Sequence, residues 1–508
     1  MKNRGSIINV FASVSGLIVL DKILGFIRQM IVASNFGATN ETDIISFSQS
    51  AVGDIQYVLA QVMITSFVSV YIYSRNGKEG TEDKSKIFAG NVLLSFLGIS
   101  ILITALLELF APLLSGILAP SYSKLLSEEL TKHIRIYSIL VVLFSMICIF
   151  KAILNANKQF VPEQLISFNQ SIITIALVFL IGNDCGPSTL VISFFCYTIW
   201  NTVFLGIFCR KRITISISNP IKNVEVKKLF KMMGPLLLGY SLIYINQMVD
   251  RTLISGLGEG VITSLTYGAT LSNLITTFIT TFCNIIFPYI TLEISKKEYA
   301  RASIIANTMT QILIIVFLPI TITFFICSHD IVAIVYGHGA FDESAVQSAS
   351  MALKGYAIMF VPVALRDVYS RFQYAFQDSK RPMLNGSIGI VGNIILSILF
   401  CELFGVFGVA LATSLSVLIS GILNMITARK KTKELNYNAL KMFSVKLIMV
   451  SGFSILLSIA VFKLAYQVGT IMRIIMVCFT SMSLFALVFG KYTYTSLKKI
   501  NGIRKHDM

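Results

Sequence analysis

Charged residues are scarce in this sequence: Asp, Glu, Lys and Arg make up 13% of 508 residues, where soluble domains carry about 25%. With 55% hydrophobic residues and a mean hydropathy of +0.77, that deficit excludes a water-soluble globular chain. It implies an integral membrane protein instead. One Trp and four His leave little material for a metal site. The eight cysteines are scattered without CxxC or metal-like spacing, so they read as packed free thiols. A cleavable signal peptide is not expected. The first apolar run follows Lys2 and Arg4, continues past Asp21 and has no small-x-small site after it. Long polar stretches are missing too, so no soluble domain is expected. The longest exterior loop is 328–345, with the turn-like YGHGAFDES. A glycan polymerase or glycosyltransferase would need acid/base residues at a membrane surface, typically in a sizeable loop. His338, Asp342 and Glu343 are the only candidates there, which argues against an enzyme.

Apolar windows of bilayer length are abundant. About fourteen are expected as spanning helices, including 134–156, 346–376, 383–401 and 405–427. Most of the 42 Lys and Arg fall at the N-terminus, in every second loop and in the tail. The opposite loops hold Lys124, Lys132, Arg135, Lys463 and Arg473. The net charge of +17 is therefore topology rather than a nucleic-acid footprint, and both termini are expected on the cytoplasmic side. The basic connection from Arg210 to Lys231 divides the chain. The expected organisation is an all-α membrane protein: a six-helix lobe over 1–215, a second over 216–430, and two further helices with a basic tail over 431–508. The lobes would be pseudo-symmetric around a central cavity.

An internal repeat supports that division. A shift of 223 residues lays Arg28 on Arg251 and Gly37 on Gly260. It also lays Asp43, Ser50, Asp54, Tyr57 and Gln61 on Thr266, Asn273, Thr277, Thr280 and Asn284. Three–four spacing puts each set on one helical face, and such a stripe faces protein or water rather than lipid. Asp21, Lys22 and Arg28 lie inside the first apolar segment, where a central charge costs roughly 2.5–3.5 kcal/mol unless a polar cavity receives it. Arg in particular pairs with phosphate oxygens, so these cations would suit an anionic substrate; an internal ion pair with Asp21 or Asp54, or snorkelling to the interface, is the alternative. Asp250–Arg251 and Arg366, Asp367 and Arg371 are further intramembrane charges, for which helix–helix ion pairing is the simpler expectation.

Several passages carry a resemblance: DKILGFIRQMIVASNFGATNETD at 21–43, NQMVDRTLISGLGEG at 246–260 and YGHGAF at 336–341, then RFQYAFQDSKRPMLNG at 371–386 and GVFGVALATSLS at 405–416. The chain resembles the MurJ (MviN) lipid II flippases of the multidrug/oligosaccharidyl-lipid/polysaccharide exporter superfamily, Gram-positive members above all. The resemblance implies an alternating-access transporter, not an enzyme, in the bacterial cytoplasmic membrane. It would carry undecaprenyl-diphosphate-linked disaccharide pentapeptide to the outer leaflet for peptidoglycan and cell-wall synthesis. Substrate-binding residues implied by motif and stripe are Lys22, Arg28, Asp43, Ser50, Asp54, Gln56, Arg251, Thr270 and Asn273. Departures from the family pattern are Gln29, Gln56, Thr270 and Asn273, where some members carry charged residues. No cofactor is implied beyond sodium as a coupling ion, near Asn246 or Asp250, Asn393, Ser397, Val409 and Thr413. Cell-wall synthesis proteins are potential partners. The alternatives are a flippase for another lipid-linked glycan (capsule, O-antigen or teichoic type) and, further off, a cation-coupled drug exporter.

Overall fold

The computed structural model describes residues 4–76, 81–157, 159, 161–215, 223–435 and 438–505. Among them every regular element is helical. Cα packing divides the chain into two compact units, one running to Thr263 with Gly339–Phe341 added, the other comprising Ser264–His338 and Asp342 onward.

The first unit holds α1 (Arg4–Phe36), α2 (Asn40–Asn76), α3 (Glu82–Leu118), α4 (Lys124–Ser138), α5 (Leu140–Ala156), α6 (Val161–Cys185), α7 (Ser188–Cys209) and α8 (Val224–Ile254). Helix starts follow local chemistry. Thr81 accepts from the Lys84 N–H at the head of α3, and Asn223 accepts from the Glu225 and Val226 N–H groups at the head of α8. The core is apolar and aromatic. Phe67 stacks on Tyr71 and Phe88, while Phe194 meets Tyr137, Phe144 and Tyr197 edge-on.

The second unit holds α9 (Val261–Ser295, apart from its first turn), α10 (Tyr299–Ile326), α11 (Ser328–Tyr336), α12 (Glu343–Ala357), α13 (Phe360–Ala375), α14 (Lys380–Arg429), α15 (Asn438–Leu464) and α16 (Thr470–Lys505). Its core includes Ile314, Ile315 and Ile322 of α10 against Phe443 of α15 and Phe485 and Phe489 of α16. Asp342 caps α12, and the Ala345 N–H and Ser344 hydroxyl that it accepts hold its carboxyl below the usual carboxylate range.

At 50 residues α14 is far longer than the ~20 that cross a bilayer. It folds back on itself at Gly405, whose φ of 56° and ψ of −134° are non-helical. Asn385 donates to Asn424 and Thr427, Asn393 donates to Thr413, and a Cβ on Gly408 would lie 1.9 Å from the Phe400 carbonyl oxygen. These contacts pair the arms antiparallel, so windows 383–401 and 405–427 are two arms of one hairpin.

Two expectations change. The segment 328–345, expected as a loop, is helical over Ser328–Tyr336, with Val332 and Tyr336 buried. Its DIVAIVY run is amphipathic and short, which a window tuned to bilayer length passes over. Second, ten helical stretches among the described residues are long and apolar enough to span, or eleven with the bent α4–α5 pair. The count falls short of fourteen because α14 counts once, α1 and α8 are not in that set, and α4 and α5 meet at a 41° bend.

Candidate functional site

In the first unit, α1 carries Asp21 and Arg28 half-buried and Lys22 exposed. The stripe of α2 is not packed into the core: Ser46, Ser50, Asp54 and Gln61 are half-buried and Tyr57 is exposed. The side chain of Gln56 lies outside the described residues. Asp54 is paired. Its Oδ2 accepts from Arg251 Nη1 of α8 at 3.0 Å, with both side chains 18% exposed. Tyr57 and Tyr244 pack one turn further along, with ring centroids 5.3 Å apart. Asp54 and Arg251 therefore neutralise each other, and the cations that α1 brings to this unit's candidate site are Lys22 and Arg28, with Asp21 beside them.

Asp43 has a different setting. It is 2% exposed, and its carboxylate accepts from the Thr263 N–H at 2.7 Å and the Ile262 N–H at 3.3 Å. An acid facing the amides of a helix's first turn is favourable through both hydrogen bonding and the helix dipole. In this conformation both of its oxygens hold backbone. Around it, the Asn40 N–H donates to Glu259 Oε1 at 3.0 Å and the Ala340 N–H to the Ser34 carbonyl at 2.8 Å. The repeat partners Gly37 and Gly260 both adopt positive φ, 63° and 71°. A Cβ on Gly260 would lie 2.2 Å from the Ala38 carbonyl oxygen, so only glycine serves there. The two positions aligned by the 223-residue shift thus share a left-handed backbone conformation, Gly37 directly after α1 and Gly260 directly before α9.

In the second unit the upper part of the α9 stripe is open: Thr266 and Asn273 are exposed and Thr270 is half-buried. Its hydroxyls are satisfied locally, Thr270 donating to the Thr266 carbonyl at 2.9 Å and Thr277 to the Asn273 carbonyl at 2.7 Å. The lower part engages α13. Thr280 donates to Asp367 Oδ2 at 2.9 Å, and Asn284 Oδ1 accepts from Arg371. Sequence patterning places these residues on one face but does not show that α13 meets them, because the partners are 87 residues apart.

Four of the residues implied for sodium meet within α14. Ser397 donates to Asn393 Oδ1 at 2.7 Å, Asn393 to Thr413 at 3.3 Å, and Thr413 to the Val409 carbonyl at 3.2 Å. An oxygen-only, uncharged donor set of this kind suits a hard monovalent cation. Asn246 and Asp250 are buried in the first unit, and Asn246 Oδ1 has no hydrogen-bond partner among the described residues. Among the described residues no group of three or more His, Cys, Asp or Glu could hold a metal ion.

Known proteins are similar to this chain in sequence and in fold. A family model described as lipid II flippase MurJ matches residues 32–477. The "Probable lipid II flippase MurJ" of Rickettsia prowazekii (strain Madrid E) is 25% identical over 407 residues, 79% of each chain. Its namesake from Buchnera aphidicola subsp. Acyrthosiphon pisum (strain APS) is 23% identical and spans 97% of both chains. Among solved structures, a lipid II flippase MurJ in an inward closed conformation is similar with a TM-score of 0.78 at 20% identity, covering 95% of this chain and 99% of that one. An inward-facing multidrug resistance MATE family transporter of the MOP superfamily reaches 0.69 at 14%, covering 82% and 96%. The two structures share the fold, and the family model takes in most of the sequence. This chain belongs to the lipid II flippase MurJ family.

Proposed function

We propose that this protein is a lipid II flippase of the bacterial cytoplasmic membrane, a transporter that moves undecaprenyl-diphosphate-linked peptidoglycan precursor between leaflets. The family match over residues 32–477 carries the reading. The cations Lys22 and Arg28 on the largely apolar α1, with Asp21 beside them, support it, since a diphosphate needs positive charge in a low-dielectric site. In this reading fourteen helices form two six-helix lobes, 1–215 and 216–430, around a central cavity, with the pair in 431–508 added and both termini cytoplasmic. The repeat-matched glycines at 37 and 260 support the two-lobe symmetry. Lys22 and Arg28 would take the diphosphate, and Ser50, Gln56, Thr270 and Asn273 would line the path of sugar and peptide. Asp43, Asp54 and Arg251 would join them once their present contacts open.

Expression in a strain depleted of its own peptidoglycan flippase tests the substrate. Rescue of growth is expected, and failure with good membrane expression would favour a capsule, O-antigen or teichoic-type lipid-linked glycan. The neutral residues Gln56, Thr270 and Asn273 are the feature that speaks for that second reading. Sodium would take oxygen ligands from Asn393, Ser397, Val409 and Thr413 and would couple transport to the ion gradient. Replacing Na+ by K+ on both sides of reconstituted vesicles is then expected to slow flipping, and an unchanged rate would remove sodium from the account.

A further inference from the structure

A pocket of about 490 Å³ lies within the second unit, between α9, α13 and the two arms of α14. Its charged wall is a triad on α13. The Asp367 carboxylate sits between two guanidiniums: Arg366 reaches Oδ1 through Nε at 3.0 Å and through Nη2 at 3.0 Å, and Arg371 Nη1 lies 3.3 Å from Oδ2. The two arginines are not equivalent. Arg371 is 14% exposed and its donors are committed: Nη1 to the Asp367 carbonyl, Nε and Nη2 to Asn284 Oδ1. Arg366 is 37% exposed and turns one edge of its guanidinium toward Asp367, leaving the other edge for a ligand. Two guanidiniums against one carboxylate leave a surplus of one positive charge in a partly desolvated pocket.

A second observation points to a ligand independently. Ser420, on the second arm of α14, lines the same pocket and is 4% exposed, yet its hydroxyl has no hydrogen-bond partner among the described residues. Serines in helices ordinarily satisfy themselves on the carbonyl one turn back, as Thr427 does nearby by donating to the Leu423 carbonyl at 2.8 Å. A buried hydroxyl left without a partner costs free energy in the empty protein, and it is what a site that hydrogen-bonds an incoming group leaves behind.

We propose that this pocket, with Arg366 and Ser420 as its ligand-binding donors, receives a peptide carboxylate of the transported headgroup; the assignment rests on the lipid II reading, in which the headgroup carries a pentapeptide. One carboxylate neutralises the surplus charge, whereas a diphosphate would bring at least two negative charges and leave the pocket anionic. The volume fits too. It lies within the roughly 300–1,000 Å³ of small-molecule sites, and Asn284, Thr280, Ser370 and Asn424, each hydrogen-bonded within the protein, make part of its lining polar. Arg371 acts as a positioning residue, fixing Asp367 and Asn284 so that Arg366 stays aimed. Under the 223-residue shift Arg366 and Arg371 fall on Leu143 and Cys148, so the pocket has no cationic counterpart in the first half.

The test uses the purified full-length protein and the headgroup pentapeptide in two forms, free C-terminal acid and C-terminal amide, with affinity read by titration. The acid is expected to bind about fivefold or more tighter than the amide, in line with a charge-assisted hydrogen bond. Arg366→Gln is expected to erase that preference and Arg366→Lys to restore part of it. Ser420→Ala is expected to weaken binding of the acid while leaving the apparent Tm unchanged or raised, which a structural serine would not do. Equal binding of acid and amide to the wild type, no binding of either, or a preference that survives Arg366→Gln would overturn the assignment. Flipping of lipid II by the same wild-type preparation is measured alongside. Normal flipping without acid preference removes the pocket alone, whereas absent flipping removes the lipid II reading.

Discussion

Arg28→Ala is expected to slow lipid II flipping in reconstituted vesicles by about 10- to 100-fold, the loss of one charge-assisted hydrogen bond to phosphate of roughly 1.5–3 kcal/mol. Arg28→Lys should retain part of the rate, because it keeps the charge while losing the paired-donor fork. Lys22→Ala should act in the same direction without loss of stability, since Lys22 is exposed on α1 and alanine is the better helix former. Full flipping by both single variants would remove the diphosphate-binding role from α1.

The second large effect concerns stability. Arg473, in the first turn of α16, is 8% exposed and grips Asp330 of α11, 4% exposed, with Nε 2.6 Å from Oδ2 and Nη2 on Oδ1. Its guanidinium also lies 4.8 Å from the Phe462 ring and 5.2 Å from that of Tyr466. This contact ties the final helical pair to the body of the second unit. Removing one partner leaves the other charge buried and unpaired, so Arg473→Ala is expected to destabilise the protein by about 3–5 kcal/mol. Asp330→Leu combined with Arg473→Met removes both charges and should recover most of that loss. Apparent Tm of the purified variants checks it. A double variant no more stable than Arg473→Ala would show that the pair is not what holds α16.

Arg473 also shows where sequence reasoning stops. In the one-dimensional charge pattern it counts as a loop cation on the side poor in Lys and Arg, a role that topology alone assigns. That its partner is Asp330, 143 residues earlier, follows only from the packing of α11 against α16. The same limit applies to Asp54, for which Arg251 is 197 residues away, and to the Arg366–Asp367–Arg371 triad, which meets Thr280 and Asn284 of α9. Features that depend on period and length were legible. The apolar windows at 383–401 and 405–427 mark both arms of α14, because Gly405 lies between two runs of bilayer length. The three–four stripes on α2 and α9 were visible because unburied polar groups must share a face. Gly37 and Gly260 were visible as repeat partners, and their shared positive φ gives the physical reason both are glycine. The helix at Ser328–Tyr336 was missed because nine residues are too few for a spanning window and carry no turn signal to separate them from a loop.

The proposed binding of the lipid II diphosphate by Lys22 and Arg28 is tested most directly by the rate at which fluorescent lipid II changes leaflets in vesicles containing the purified protein. The expected rate is well above that of protein-free vesicles for the wild type, and near the protein-free level for the Lys22→Ala/Arg28→Ala double variant reconstituted to the same density. A wild type that is folded and inserted yet indistinguishable from protein-free vesicles would contradict it.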